Sequence, residues 1–296
     1  MKKTTFYKEI TWNRTKSIFI FAFFVCFFIF IGWLVNLYYG GTGYFFVGLA
    51  IIIAVVSSLV SYFKGDKIAL KLAGARPLKH GENTQLENIV EGLSLAGGIP
   101  KPKIYIIEDD GLNAFATGRN PENASVAFTK GLLRVMDKQE IEGVVAHELS
   151  HIRNYDMLFL TLTSVLVGSI LILSEIILRT FWFGGNRDKN QNPVILVFLI
   201  ISLILAPIIA TLIQLAISRK REYLADASAV ELTRFPPGLK RALEKIKKLN
   251  YMQDKSKLKK AKSLSPLYFS SPFKGASKFF STHPPINERI KKLKNM

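Results

Sequence analysis

Charge-free apolar runs alternate along this chain with polar, basic stretches. Ser17–Tyr39 and Tyr44–Phe63 carry no charged residue, and only Gly40–Gly43, GGTG, separates them. About 20 apolar residues cross a bilayer as a helix, so residues 1–64 are expected to form a tight transmembrane hairpin. The first run is too long for a signal peptide, lacks a small-residue cleavage site and leads at once into a second run, which marks a permanent anchor. A second pair follows. Met157–Phe183 is apolar except for Glu175 and Arg179, Val194–Ile217 is uncharged, and the short polar link GGNRDKNQNP joins them. The pattern predicts four spans, with residues 157–217 as the second hairpin.

The remaining segments, 65–156 and 218–296, read as two parts of one catalytic domain. Asn83 is placed to cap a helix over Asn83–Leu95. Lys103–Ile107, Asn113–Thr117 and Ala124–Phe128 have the residue types and length of short strands. Asp137 and Glu140, in DKQE, form a capping-box pattern, and the helix it opens is expected to reach about Tyr155. Leu239–Leu249 has apolar residues at helical spacing among many lysines, which suits either the protein body or a lipid surface. The fold class is α+β and predominantly helical: a four-span helical membrane part fused to a domain with a small sheet.

Charge adds orientation. The chain has 296 residues, 49% of them hydrophobic, yet its formal net charge is +18. Lys and Arg concentrate in the first sixteen residues, after Phe63 and after Ile217, whereas the GGTG turn has none. The positive-inside rule places the N-terminus, the middle segment and the tail together in the cytosol. The basic excess suits anionic lipid and calls for no nucleic acid. The single cysteine, Cys26, lies inside an apolar run, so neither an intrachain disulfide nor a cysteine-based zinc cluster can form.

The chemistry is concentrated in Ala146–Met157, AHELSHIRNYDM. His147 and His151 sit one helical turn apart, so both imidazoles can reach one ion, and Glu148 lies close enough to hold a water beside it. A catalytic zinc site needs a third protein ligand. Ser218–Ala229, SRKREYLADASA, offers Glu222 and Asp226, four apart on a continuing helix. An even number of spans separates them from His151 and returns them to the same face of the membrane. A transporter is disfavoured, because the spans lack the charged or broken helices of an ion path. The presence of Glu148 argues against a non-catalytic zinc scaffold.

Several ordered motifs extend this pattern: GARPL at Gly74–Leu78, NAFATG at Asn113–Gly118 and AFTKGLL at Ala127–Leu133. HELSHIRNYD at His147–Asp156, SRKREYLAD at Ser218–Asp226 and THPPINERI at Thr282–Ile290 complete the set. Over nearly its whole length the chain resembles the HtpX family of membrane-bound zinc metalloproteases, relatives of the type I CAAX prenyl proteases. The resemblance implies a gluzincin-type domain with one Zn2+ held by His147, His151 and Glu222, and Glu148 as the catalytic base. It implies that Asp226 orients a ligating histidine. It also puts His283 and Arg289 near the substrate, with His283 a donor to the developing oxyanion. The implied substrates are polypeptides, unfolded and membrane proteins among them, cleaved in quality control at the cytoplasmic membrane. His80 has no assigned role, and Met252–Lys278 shows no motif.

Overall fold

A computed structural model describes residues 6–38, 44–183, 196–197, 200–203, 205, 221–249, 264, 267–269 and 284–296. The chain opens with two long helices, α1 (Phe6–Tyr38) and α2 (Phe45–Leu72). They pack closely because Gly32 has no side chain: a Cβ there would lie 2.5 Å from the Ala50 Cβ. Phe21–Tyr38 and Phe45–Leu72 are long and apolar enough to cross a membrane, yet only 39% of the first and 22% of the most apolar 18 residues of the second are buried inside the protein. Phe30, Trp33, Ile52, Val56 and Leu59 face outward. An apolar surface of that extent calls for an apolar solvent.

α2 outlasts its apolar run. Its last turns carry Ala69 and Leu70 into a cluster with Ala73, Ile107, Phe115, Ala127, Phe159, Leu160 and Tyr268. One continuous helix therefore fuses the hairpin to the domain below it.

That domain is built on a four-stranded sheet of β1 (Ala75–Pro77), β2 (Lys103–Ile107), β3 (Ala114–Gly118) and β4 (Ala124–Thr129), in the order β1-β2-β4-β3. β1, which the sequence reading did not anticipate, pairs antiparallel with β2. β2 and β4 are parallel, and β3 returns antiparallel beside β4. Helix α3 (Thr84–Gly97) is capped by the Asn83 side chain, which accepts from Leu86 N–H at 3.0 Å. Its Leu86, Ile89 and Val90 share the main core with Val126 and Phe128 of the sheet. A short helix α4 (Lys130–Val135) leads to α5 (Lys138–Arg153), which opens with the expected capping box between Asp137 and Glu140.

α5 is shorter than expected. It ends at Arg153, Asn154 and Tyr155 form a turn with Tyr155 at φ 57°, and α6 (Asp156–Phe183) starts immediately. Leu166, Val167 and Ile170 of α6 pack with Phe24 and Phe28 of α1 and Ala54 of α2. Within its described side chains α6 contributes the apolar stretch Asp156–Ile170, below the length of a span. Among the described residues α1 and α2 are therefore the helices both long and apolar enough to cross a membrane; α6 has 28 residues, but most of its side chains beyond Ile170 lie outside the described residues, as do residues 206–217 of the expected return leg.

After that leg come α7 (residues 221–233), α8 (Pro236–Lys248) and α9 (Ile286–Leu293). α8 belongs to the protein body: Leu239, Ala242, Leu243 and Ile246 are buried in the main core. It crosses α5 at two glycines. A Cβ on Gly143 would lie 2.5 Å from Leu239 N, and one on Gly238 would lie 2.5 Å from Gln139 O. The segment that showed no motif also contributes to packing, because Leu264, Leu267, Tyr268 and Phe269 are buried.

Candidate metal centre

α5 holds its site residues on its buried side. His147, Glu148 and His151 are at most 6% exposed, as a helix packed between sheet, α3 and α8 requires. The helical spacing turns both imidazoles the same way, and their Nε2 atoms stand 3.3 Å apart. α7 delivers Glu222 opposite them. One of its carboxylate oxygens lies 3.7 Å from His147 Nε2 and the other 3.5 Å from His151 Nε2. A tetrahedral ion with bonds of about 2.0–2.1 Å separates its ligand atoms by about 3.3–3.4 Å. The three side chains are therefore spaced for one such ion, and among the described residues they form a cluster able to hold one.

Charge supports the same fit. The buried carboxylates of Glu148, Asp156, Glu222 and Asp226 face two buried guanidiniums, Arg221 and Arg289. Asp156, Glu222 and Asp226 alone outnumber the two guanidiniums, which leaves an excess of negative charge that a bound cation relieves, and buried charge is costly unless it is paired. Burial pushes His147 down to about 4, which favours the neutral imidazole a metal needs. Burial acts the same way on His151, but the carboxylates of Asp156 and Glu222 outweigh it and push that ring up to about 10. The point between the two rings thus attracts positive charge.

Glu148 is adjacent, and the backbone N–H of Ala116 on β3 is near enough to favour its charged form. Burial pushes its pKa up to about 7, with the Glu222 carboxylate adding to the rise and His151 opposing it. A buried carboxyl poised near neutrality suits a group that takes and returns a proton.

Each histidine is held from behind. The Asp226 carboxylate stands 3.0 Å from His147 Nδ1 and receives Arg289 through Nε at 2.9 Å and a terminal nitrogen at 2.7 Å. Burial disfavours an ionised Asp226, yet Arg289 and His147 hold its carboxyl below the usual range. Arg289 also lies 3.3 Å from Glu222 and donates to the Phe269 carbonyl. It was expected beside the substrate; it is 2% exposed, and its donors go to these groups. On the other side, Asp156 stands 3.3 Å from His151 Nδ1 and 3.2 Å from Arg221.

Three of these residues were not singled out from sequence. Asp156 and Arg221 had only their adjacency to the motifs as a signal. Phe269 had none, although its ring lies 5.0 Å from that of His147 and its N–H donates to the Ala114 carbonyl at 2.8 Å. His283 lies outside the described residues. His80 is fully exposed, and Glu175 is also exposed.

A helix bearing H-E-x-x-H, completed by a glutamate from a second helix and set against a sheet edge, is the construction of a metalloprotease. Comparison with known proteins narrows the class. Residues 80–296 match peptidase family M48, and the chain belongs to that family. It is 45% identical to "Protease HtpX homolog" of Dictyoglomus turgidum, over 100% of this chain and 96% of that one. It is 46% identical to the protein of the same name from Thermoanaerobacter pseudethanolicus, over 86% and 89%. In fold it is similar to the crystal structure of S. mikatae Ste24p, with a TM-score of 0.51 and 22% identity, covering 98% of this chain and 66% of that longer one.

Proposed function

We propose that this protein is a zinc-dependent endopeptidase of the cytoplasmic membrane. Its site faces the cytoplasm, and it hydrolyses extended or misfolded polypeptides, membrane proteins among them, in quality control. The observation that carries the reading is the triangle of His147, His151 and Glu222 with Glu148 beside it at the edge of β3. His147, His151 and Glu222 would hold the zinc, which supplies Lewis acidity, acidifying a water and polarising the scissile carbonyl.

The residues of this chain do the rest. Glu148 takes the proton of the attacking water and returns it to the leaving amine. Asp226 fixes the tautomer and ring orientation of His147, and Arg289 holds Asp226 and Glu222 in their charged forms. His283 serves as a donor to the developing oxyanion.

β3 supplies the surface for the peptide. Thr129 N–H donates to the Asn113 carbonyl, so Asn113 turns its backbone toward β4, and by strand alternation Ala114 and Ala116 turn theirs outward. The Ala114 carbonyl is already bonded to Phe269 and the Ala116 N–H faces Glu148, so a substrate strand would align from the Ala116 carbonyl onward. Main-chain recognition at a sheet edge gives loose side-chain specificity, which suits unfolded chains.

The test pairs metal content with cleavage. The parent and Glu148→Gln proteins are purified in detergent without chelator, and bound zinc and hydrolysis of an unfolded protein are measured for both. Both bind zinc and only the parent cleaves, if the reading is correct. Zinc in both and cleavage by neither would mark the site as structural.

A further inference from the structure

We propose that Asp156 and Arg221 form a positioning pair for His151, a counterpart of Asp226 and Arg289 behind His147. This rests on the metal-binding reading above and adds two residues to it.

The geometry repeats on the two sides of the site. His147 Nδ1 meets Asp226, which meets Arg289; His151 Nδ1 meets Asp156 at 3.3 Å, which meets Arg221 at 3.2 Å. All four supporting side chains are buried. A carboxylate on Nδ1 keeps the proton there and leaves Nε2, the atom facing the other histidine, with its lone pair free for a metal.

The chain break between α5 and α6 is what makes this contact possible. On a straight helix the fifth residue after His151 would lie about 140° around the axis, pointing away. Tyr155 instead adopts φ 57°, a left-handed conformation uncommon for a residue with a bulky side chain. That turn redirects the backbone, and Asp156, the first residue of α6, comes back against the ring of His151. A strained residue beside a functional group is the usual place for such a cost to persist.

Arg221 has a seat of its own on α6. Its guanidinium carbon lies 4.4 Å from the centre of the Phe159 ring, one turn along from Asp156. The ring and the carboxylate therefore fix the same guanidinium, and the next residue in the chain is the ligand Glu222. The pair orients His151 from one side and holds Arg221, the neighbour of Glu222 on α7, from the other. It also ties Asp156, just before the 157–217 segment, to Arg221, which follows it.

The experiment measures zinc affinity of the full-length protein in detergent by competition with a chromophoric chelator, together with the visible spectrum of the Co2+-loaded protein. The variants are Asp156→Ala, Asp156→Asn, Arg221→Gln and Arg221→Lys. Asp156→Ala is expected to weaken zinc binding by about 10–100-fold and to change the Co2+ spectrum. Asp156→Asn, which retains an acceptor for Nδ1–H, should lose less, and Arg221→Lys should recover part of what Arg221→Gln loses. A merely structural role would lower the thermal stability of the metal-free protein and leave the Co2+ spectrum of the folded fraction unchanged. If Asp156→Ala does not fold, Asp156→Asn carries the same comparison. Parental affinity and spectrum in the Asp156 variants overturn the proposal while the metalloprotease reading stands. A parent protein that binds no zinc overturns both.

Discussion

Glu148→Gln should make the metal-free protein more stable, and by an amount that depends on pH. In the fold, burial holds the Glu148 carboxyl at about 7, against its ordinary 4.5. In the unfolded chain it returns to that ordinary value. Below 4.5 the group is neutral in both states and contributes nothing that varies with pH. Between 4.5 and about 7 the folded state binds the extra proton, so stability falls as pH rises. Above 7 the penalty is complete, at roughly 3 kcal/mol for a displacement of this size. Glutamine keeps the shape and the acceptor for the Ala116 N–H and lacks the charge. Its advantage should therefore be small at pH 5 and reach about 6–12 °C in unfolding midpoint at pH 8.5, at the 2–4 °C per kcal/mol of a large domain. The assay is thermal unfolding of chelator-treated protein in detergent, parent and variant side by side at each pH. The neighbouring histidines are common to both proteins, so their own titration largely drops out of the difference. An equal gain at pH 5 and pH 8.5, or none at either, would refute the idea that buried charge on Glu148 opposes folding.

Two further substitutions test how the site is held. Gly143→Ala places a Cβ against the backbone of Leu239, so α5 and α8 must separate; the expected loss is about 1–3 kcal/mol, read as a lower denaturant midpoint, and an unchanged midpoint would show that the helices have slack. Asp137→Ala removes the side chain that accepts from Glu140 N–H at 2.9 Å. It should cost about 1 kcal/mol by the same measurement, with zinc affinity retained, because His147 lies more than two turns further along α5.

The sequence by itself determined whatever depends on local periodicity and local chemistry. Two charge-free runs around GGTG specify the α1–α2 hairpin. Asp137 with Glu140 and Asn83 with Leu86 specify where α5 and α3 begin, since a cap needs only a side chain and the first turn that follows it. H-E-x-x-H puts His147, Glu148 and His151 on one face because an α-helix repeats every 3.6 residues. The motif order extends this to Glu222, Asp226 and Arg289, which the fold brings together. Tertiary structure alone decided the rest, because those features depend on contacts between distant segments. β1 is three residues long and exists only as a partner for β2. α8 could have lain on lipid or protein by its pattern; two glycines, ninety-five positions apart, let it close on α5. Phe269 lies in a stretch that shows no motif and meets His147 through its bonds to β3 and to Arg289. Asp156 meets His151 because the chain leaves the helix at Asn154 and Tyr155, a change of direction that periodicity cannot encode and that packing of α6 and Arg221 fixes in place.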